Sequence, residues 1–135
     1  MPASSQLVFT RLRDLLQVHA DEFHVAQDAS RRYGLEAPVG PTTLRAWGGK
    51  ARAPTIPVAW VEIGKTYVSY HLMGISGNAK LVAQLSDELR ARMQGKSCFN
   101  FKTVDEALFG ELEQVTTESL RGMKKAGYIS DVPVA

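Results

Sequence analysis

The sequence predicts an α+β domain, an antiparallel sheet of about five strands with N- and C-terminal helices packed on it. Three observations predict it. Residues 58–74 read as two apolar strands joined by Gly64-Lys65. Both ends of the chain carry apolar residues at helical spacing. The order in between is hairpin, loop, hairpin, short helices and strand, not an alternation of strand and long helix. The length of 135 residues suits one domain over 1–135. A hydrophobic content of 44% is enough for a core without disulfide staples.

The first helix starts from Ser4 or Ser5 as a cap and ends near Ala20. Val8, Leu12, Leu15, Leu16 and His19 fall on one side, and Thr10, Arg13, Asp14 and Gln17 on the other. Residues 21–36 fit two descriptions. They continue the helix, since Leu16, Phe23, Ser30 and Tyr33 keep rough helical spacing, or they form a hairpin. A loop over Asp28 to Arg32 puts Phe23, Val25, Tyr33 and Leu35 on one face. Aspartate, serine and Gly34 suit a sheet and turn better than a helix, which favours the hairpin.

Four prolines and three glycines mark residues 37–57 as a long loop, with a short strand near Leu44 to Trp47. Its default role is a crossover connection, although long loops in compact domains also carry function. The second hairpin follows. A glycine first in a two-residue loop fits a type II′ turn, so Ile63 faces Thr66, Glu62 faces Tyr67 and Val61 faces Val68. Ala59, Val61, Ile63, Val68, Tyr70 and Leu72 then form the core face. The opposite face collects Val58, Trp60, Glu62, Tyr67, Ser69 and His71, large aromatics beside polar groups.

Two short helical stretches come after Gly74. The second begins at the N-cap Ser86, with Asp87 and Glu88 in its first turn and Arg90 and Arg92 in its last, and Gly95 ends it. A strand over 97–101 sets Phe99 and Phe101 on one face and Cys98 and Asn100 on the other. Thr103 caps the last helix, with Glu106 closing a capping box. Leu108, Leu112, Val115 and Met123 make its buried stripe, and Gly127 stops it. Gly110 and Gly122 inside this helix have no explanation in the sequence.

Several function classes fall away. A net charge of +2 with no dense Lys/Arg run does not argue for nucleic acid. No apolar run approaches a membrane span, and the first residues lack a secretory signal pattern. Cys98 is the single cysteine, so no internal disulfide forms, and a cytoplasmic location is expected. The histidines His19, His24 and His71 lack metal-ligand spacing, so neither a metal nor another cofactor is expected. His19 reads as a core-boundary residue bonded to backbone. Cys98 lies near Lys96, but no His or Asn neighbours it in sequence, so it reads as a small buried hydrophobe. "GISGN" is not G-x-S-x-G, and "GPTTLRAWGGK" does not match a phosphate loop. No catalytic residue is assigned.

The mixed face remains. Trp60, Glu62, Tyr67, Ser69 and His71, with Lys96 at one edge, are the candidate ligand-binding residues. Rings supply contact area, and His and Ser supply directed hydrogen bonds. The partner is an unidentified small molecule or protein. Competing occupants of the face are a helix, the long loop or a second copy of the chain. An enzyme using His71 as general base is another alternative. Arg90, Arg92 and Lys96 form a basic cluster that most simply is a solvated face.

The run "VEIGKTYVSYHLMGI", followed by "LRARMQGKSCFNFKTVDEALFGELEQVT", resembles the YdhG-like bacterial domains of unknown function. Gly95, Lys96 and Phe101 carry the likeness, which covers roughly the C-terminal half. It implies an α+β sandwich with N- and C-terminal helices on one sheet. Some members are described as frataxin-like iron chaperones, which implies iron or metal handling as an alternative function. That activity needs clustered carboxylates. Here the first helix carries Asp14 beside Arg11 and Arg13, and only Asp21 and Glu22 follow near its end.

Overall fold

A computed structural model describes residues 3–131. Six strands form one open, wholly antiparallel sheet in the order β1-β2-β3-β4-β6-β5. They are β1 (His24–Ala29), β2 (Arg32–Pro38), β3 (Thr55–Ile63), β4 (Val68–Leu72), β5 (Met93–Gln94) and β6 (Cys98–Phe101). The α+β class holds, and the sixth strand is the two-residue β5. Helices α1 (Ala3–Gln17) and α5 (Glu106–Lys125) pack on one face, and α3 (Ala79–Ala83) and α4 (Asp87–Arg90) lie against α5.

Helix α1 takes in both Ser4 and Ser5, so neither caps it, and it stops at Gln17 rather than Ala20. Residues 24–38 form the expected hairpin. The turn is only Ser30-Arg31, because Ala29 pairs with Arg32, and a bulge at Ala26 restores Val25 opposite Leu35. The expected strand near Leu44 to Trp47 is instead α2 (Pro41–Ala46). Pro41 presets the first helical φ after the extended Gly40, and Gly48 at φ +77° ends the turn.

The β3–β4 register differs from the expected one by two residues. Gly64 N–H donates to the Tyr67 carbonyl at 2.8 Å, closing a four-residue loop in place of the type II′ turn. Glu62 therefore faces Ser69, and Trp60 faces His71. A slip of two leaves every side chain on its expected face. Val58 is the exception. It falls where the β2–β3 register shifts, and it is fully buried.

The end of α4 is also earlier than expected. Ser86 caps it, its Oγ accepting from Leu89 N–H at 3.1 Å, but Gly95 (φ +74°) serves the β5–β6 turn instead. The cap of α5 is Asp105, whose Oδ1 accepts from Leu108 N–H at 3.1 Å, not Thr103. Glu106 closes no capping box. It is held by Arg11 of α1 through two bonds of 2.9 and 2.6 Å, and Arg11 keeps its carboxyl below the usual range. Gly122 has a reason: a Cβ there would sit 3.2 Å from Asn78 Nδ2 at the α3–α5 contact. Nothing in the structure explains Gly110.

The core lies between the helices and the face carrying Ala59, Val61, Val68, Tyr70, Leu72, Phe99 and Phe101. Phe101 meets Phe109 edge-on at 5.0 Å. Tyr70 is fully buried, and its hydroxyl lies 2.6 Å from Thr116 Oγ1. Thr116 spends its own proton on the Leu112 carbonyl at 2.7 Å, so Tyr70 is the donor. Burial pushes the phenol pKa well up, so it stays protonated. Removing the acceptor strands a buried donor, whereas removing the donor leaves Thr116 bonded to α5. Thr116→Val is expected to cost about 1–3 kcal/mol and Tyr70→Phe about 1 kcal/mol. Urea unfolding measures both, and an equal or reversed order would refute the assigned donor.

Candidate functional site

The uncovered sheet face brings four of the six expected residues together. The Trp60 and His71 rings stack at 4.5 Å and 11°. Glu62 pairs with Arg32 of β2 at 3.0 Å, and the Arg32 guanidinium lies 5.7 Å from the Trp60 ring. Ser69 donates to Asn100 Oδ1 at 3.0 Å, and Asn100 Nδ2 donates to Gln94 Oε1 at 2.7 Å. His71 Nε2 is 3.8 Å from both Glu62 Oε1 and Cys98 Sγ. Cys98 thus belongs to this polar layer and is only half-buried, rather than a core thiol.

Tyr67 and Lys96 do not join. Tyr67 sits in the turn, 40% exposed, with Lys102 Nζ 5.2 Å from its ring centroid. Lys96 lines a separate open depression of about 630 Å³ with Arg90 and Met93. Arg90 is not merely solvated, since it donates to the carbonyls of Val82 and Leu85 at 3.1 and 3.2 Å. Arg32 and Asn100 were missed, because long-range pairing alone places them beside Glu62 and Ser69.

Burial sets the protonation of the layer. It lowers the His71 pKa against the raising effect of Glu62, and it raises the Cys98 thiol against a lowering contact with Ser69. Near neutral pH the pair is thiol and neutral imidazole, not thiolate and imidazolium. Among the described residues, no group of three or more His, Cys, Asp or Glu side chains is arranged to hold a metal ion.

A different surface beside Trp60 is hollow. A cavity of about 440 Å³ lies between α2, β3, the 3-10 turn Met73–Ile75 and the end of α5. Trp47, Trp60, Met73, Met123 and Tyr128 supply most of its apolar wall. Met73 and Tyr128 are among the large hydrophobic side chains left exposed, at 39% and 46%. Of the candidate residues, Trp60 alone reaches this cavity. The others were missed because they come from four separated segments. The one local signal was a tryptophan inside a Gly/Pro-rich loop.

Helix α2 buries no residue, so hydrogen bonds rather than packing hold it over the cavity. Gly40 N–H donates to the Tyr128 carbonyl at 2.9 Å, and Thr42 N–H to the Gly127 carbonyl at 2.8 Å. The hydroxyls of Thr42 and Thr43 donate to the carbonyls of Ala126 and Tyr128 at 2.5 and 2.7 Å. A Cβ on Gly40 would run into the Gly127 carbonyl. Gly127 itself, at φ +79°, has the left-handed conformation that lets the chain leave α5. Gly40→Ala is expected to cost about 1–3 kcal/mol, as overpacking does, and to increase amide exchange over residues 40–47. Unchanged exchange there would show that the contact does not hold α2.

His19 behaves like His71. Its Nε2 is buried with no hydrogen-bond partner, so the expected backbone bond is not made, and burial lowers its pKa. Both folded values lie below the 6.5 of an unperturbed histidine. Between those values and 6.5 the unfolded chain binds more protons. The stabilisation is therefore complete above about pH 7, falls as pH drops through the histidine range, and levels off below the folded values. The urea midpoint is expected to fall between about pH 7.5 and about pH 5.5. His71→Phe, which keeps a ring against Trp60, is expected to flatten part of that slope. An identical slope in the variant would remove His71 from the account.

No helix among the described residues is long and apolar enough to cross a membrane. No protein-family model, curated protein or solved structure matches the chain.

Proposed function

We propose that the protein is a small binding domain for a flat, mainly apolar small molecule, taken up between α2 and β3. One observation carries this reading: a cavity of about 440 Å³ walled by Trp47, Trp60, Met73, Met123 and Tyr128. Its volume falls in the range of small-ligand pockets, and aromatic and methionine side chains adapt to apolar bodies of varied shape. Met73 and Tyr128 at its rim are partly exposed, and an apolar ligand seated there would cover them.

Within this reading the mixed face acts as a support. The Trp60 ring face that would receive a flat ligand is already stacked on His71, so the ligand meets another part of the indole. Glu62 is paired with Arg32, whose guanidinium lies 5.7 Å from the Trp60 ring, and Ser69 is bonded to Asn100. The likeness to YdhG-like domains adds no ligand to this proposal. We place the protein in the cytoplasm on its single cysteine.

N-phenyl-1-naphthylamine, an uncharged dye that brightens in apolar surroundings, tests the reading. One dye is expected to bind per chain. Trp47→Ala is expected to weaken it about tenfold, the worth of one good aromatic contact. Met73→Gln, at an exposed position, provides a second variant. Absence of binding, or binding indifferent to both changes, would overturn the proposal.

A further inference from the structure

We infer that the ligand of this cavity is an organic anion, a planar apolar body carrying a carboxylate or sulfonate that projects towards Arg52. The inference rests on the small-molecule reading above and adds the charge of the ligand to it. Among the described residues, the cavity wall contains no carboxylate. Its outer wall is Trp47, and the Arg52 guanidinium lies 5.9 Å from the centre of that indole ring. Arg52 is exposed and makes no ion pair among the described residues.

The α2 segment carries charge of one sign. Between Glu36 and Glu62 the chain carries three cations, Arg45, Lys50 and Arg52, and no acidic residue. Of the flanking carboxylates, Glu62 is matched by an arginine, whereas Glu36 meets a neutral hydroxyl donor. Glu36 accepts from Thr55 Oγ1 at 2.5 Å, and Glu62 pairs with Arg32 at 3.0 Å. On the α5 side, Asp131 pairs with Lys124 at 3.2 Å. An apolar cavity with an unpaired guanidinium over one of its wall residues favours a molecule that is greasy at one end and negative at the other. A cationic ligand would meet three like charges along the α2 segment. A neutral one would leave Arg52 without a role. Arg52 stacks on the wall itself, so an anion reaching it keeps its apolar body against Trp47.

A matched pair of dyes tests the charge. 8-Anilino-1-naphthalenesulfonate is N-phenyl-1-naphthylamine with one sulfonate added, so the two differ in the anion alone. The sulfonate dye is expected to displace the neutral one from the full-length protein at one site per chain. Arg52→Gln is expected to raise the dissociation constant of the sulfonate about fivefold and to leave the neutral dye within about twofold. Arg52→Lys, which keeps the charge, is expected to retain most of the sulfonate affinity. Added salt should weaken the sulfonate alone. If the neutral dye binds through Trp47 but Arg52→Gln affects both dyes equally or neither, the anion inference is overturned and the pocket stands. If neither dye binds, the small-molecule reading fails, and the inference fails with it.

Discussion

Six hydrogen bonds tie residues 38–43 to residues 126–130, and the shape of the cavity depends on them. Four run from α2 and its N-terminal flank to carbonyls at the end of α5. Ser130 returns two, through its N–H and its hydroxyl, to the carbonyls of Pro38 and Val39. A six-residue helix without a buried side chain has no hydrophobic reason to lie anywhere in particular. Here it serves as the partner for carbonyls that the end of α5 leaves unsatisfied. The exit of one helix thereby places another, and Trp47 is carried into position opposite Trp60.

The two sides of the sheet obey different physics. On the core side, burial of Tyr70, Phe99 and Phe101 against α1 and α5 fixes the layer, and one phenol–threonine–carbonyl chain satisfies the buried hydroxyls of Tyr70 and Thr116. On the other side no helix among the described residues covers the strands. Order comes from cross-strand pairs: indole on imidazole, guanidinium on carboxylate, hydroxyl on amide. Each pair is modest, and their joint effect is a rigid mount for Trp60, which borders both the polar layer and the apolar cavity.

Much of this was legible in the sequence, and the misses share a cause. Strand parity between residues 59 and 72 survived a wrong turn assignment because the error was an even number of residues. Ser86 and Gly127 marked real boundaries. Thr103 competed with Asp105 for the same cap, and no local rule separates them. Residues 41–46 looked like loop or strand because the bonds that make them a helix go to residues numbered above 120. The cavity was invisible for the same reason. Its wall is assembled by tertiary closure, whereas the polar face is assembled by neighbouring strands, whose pairing a turn announces. Trp60 was legible because it belongs to both.

The bulge at Ala26 and the brevity of β5 bear on how these molecules behave in a crowd. One border of the sheet is a strand interrupted in its middle and dressed with exposed His24, Gln27 and Asp28. The other border is two residues long. Neither offers the straight run of free amides along which a further chain could zip. An open sheet face thus coexists with two borders poorly shaped for adding a further strand.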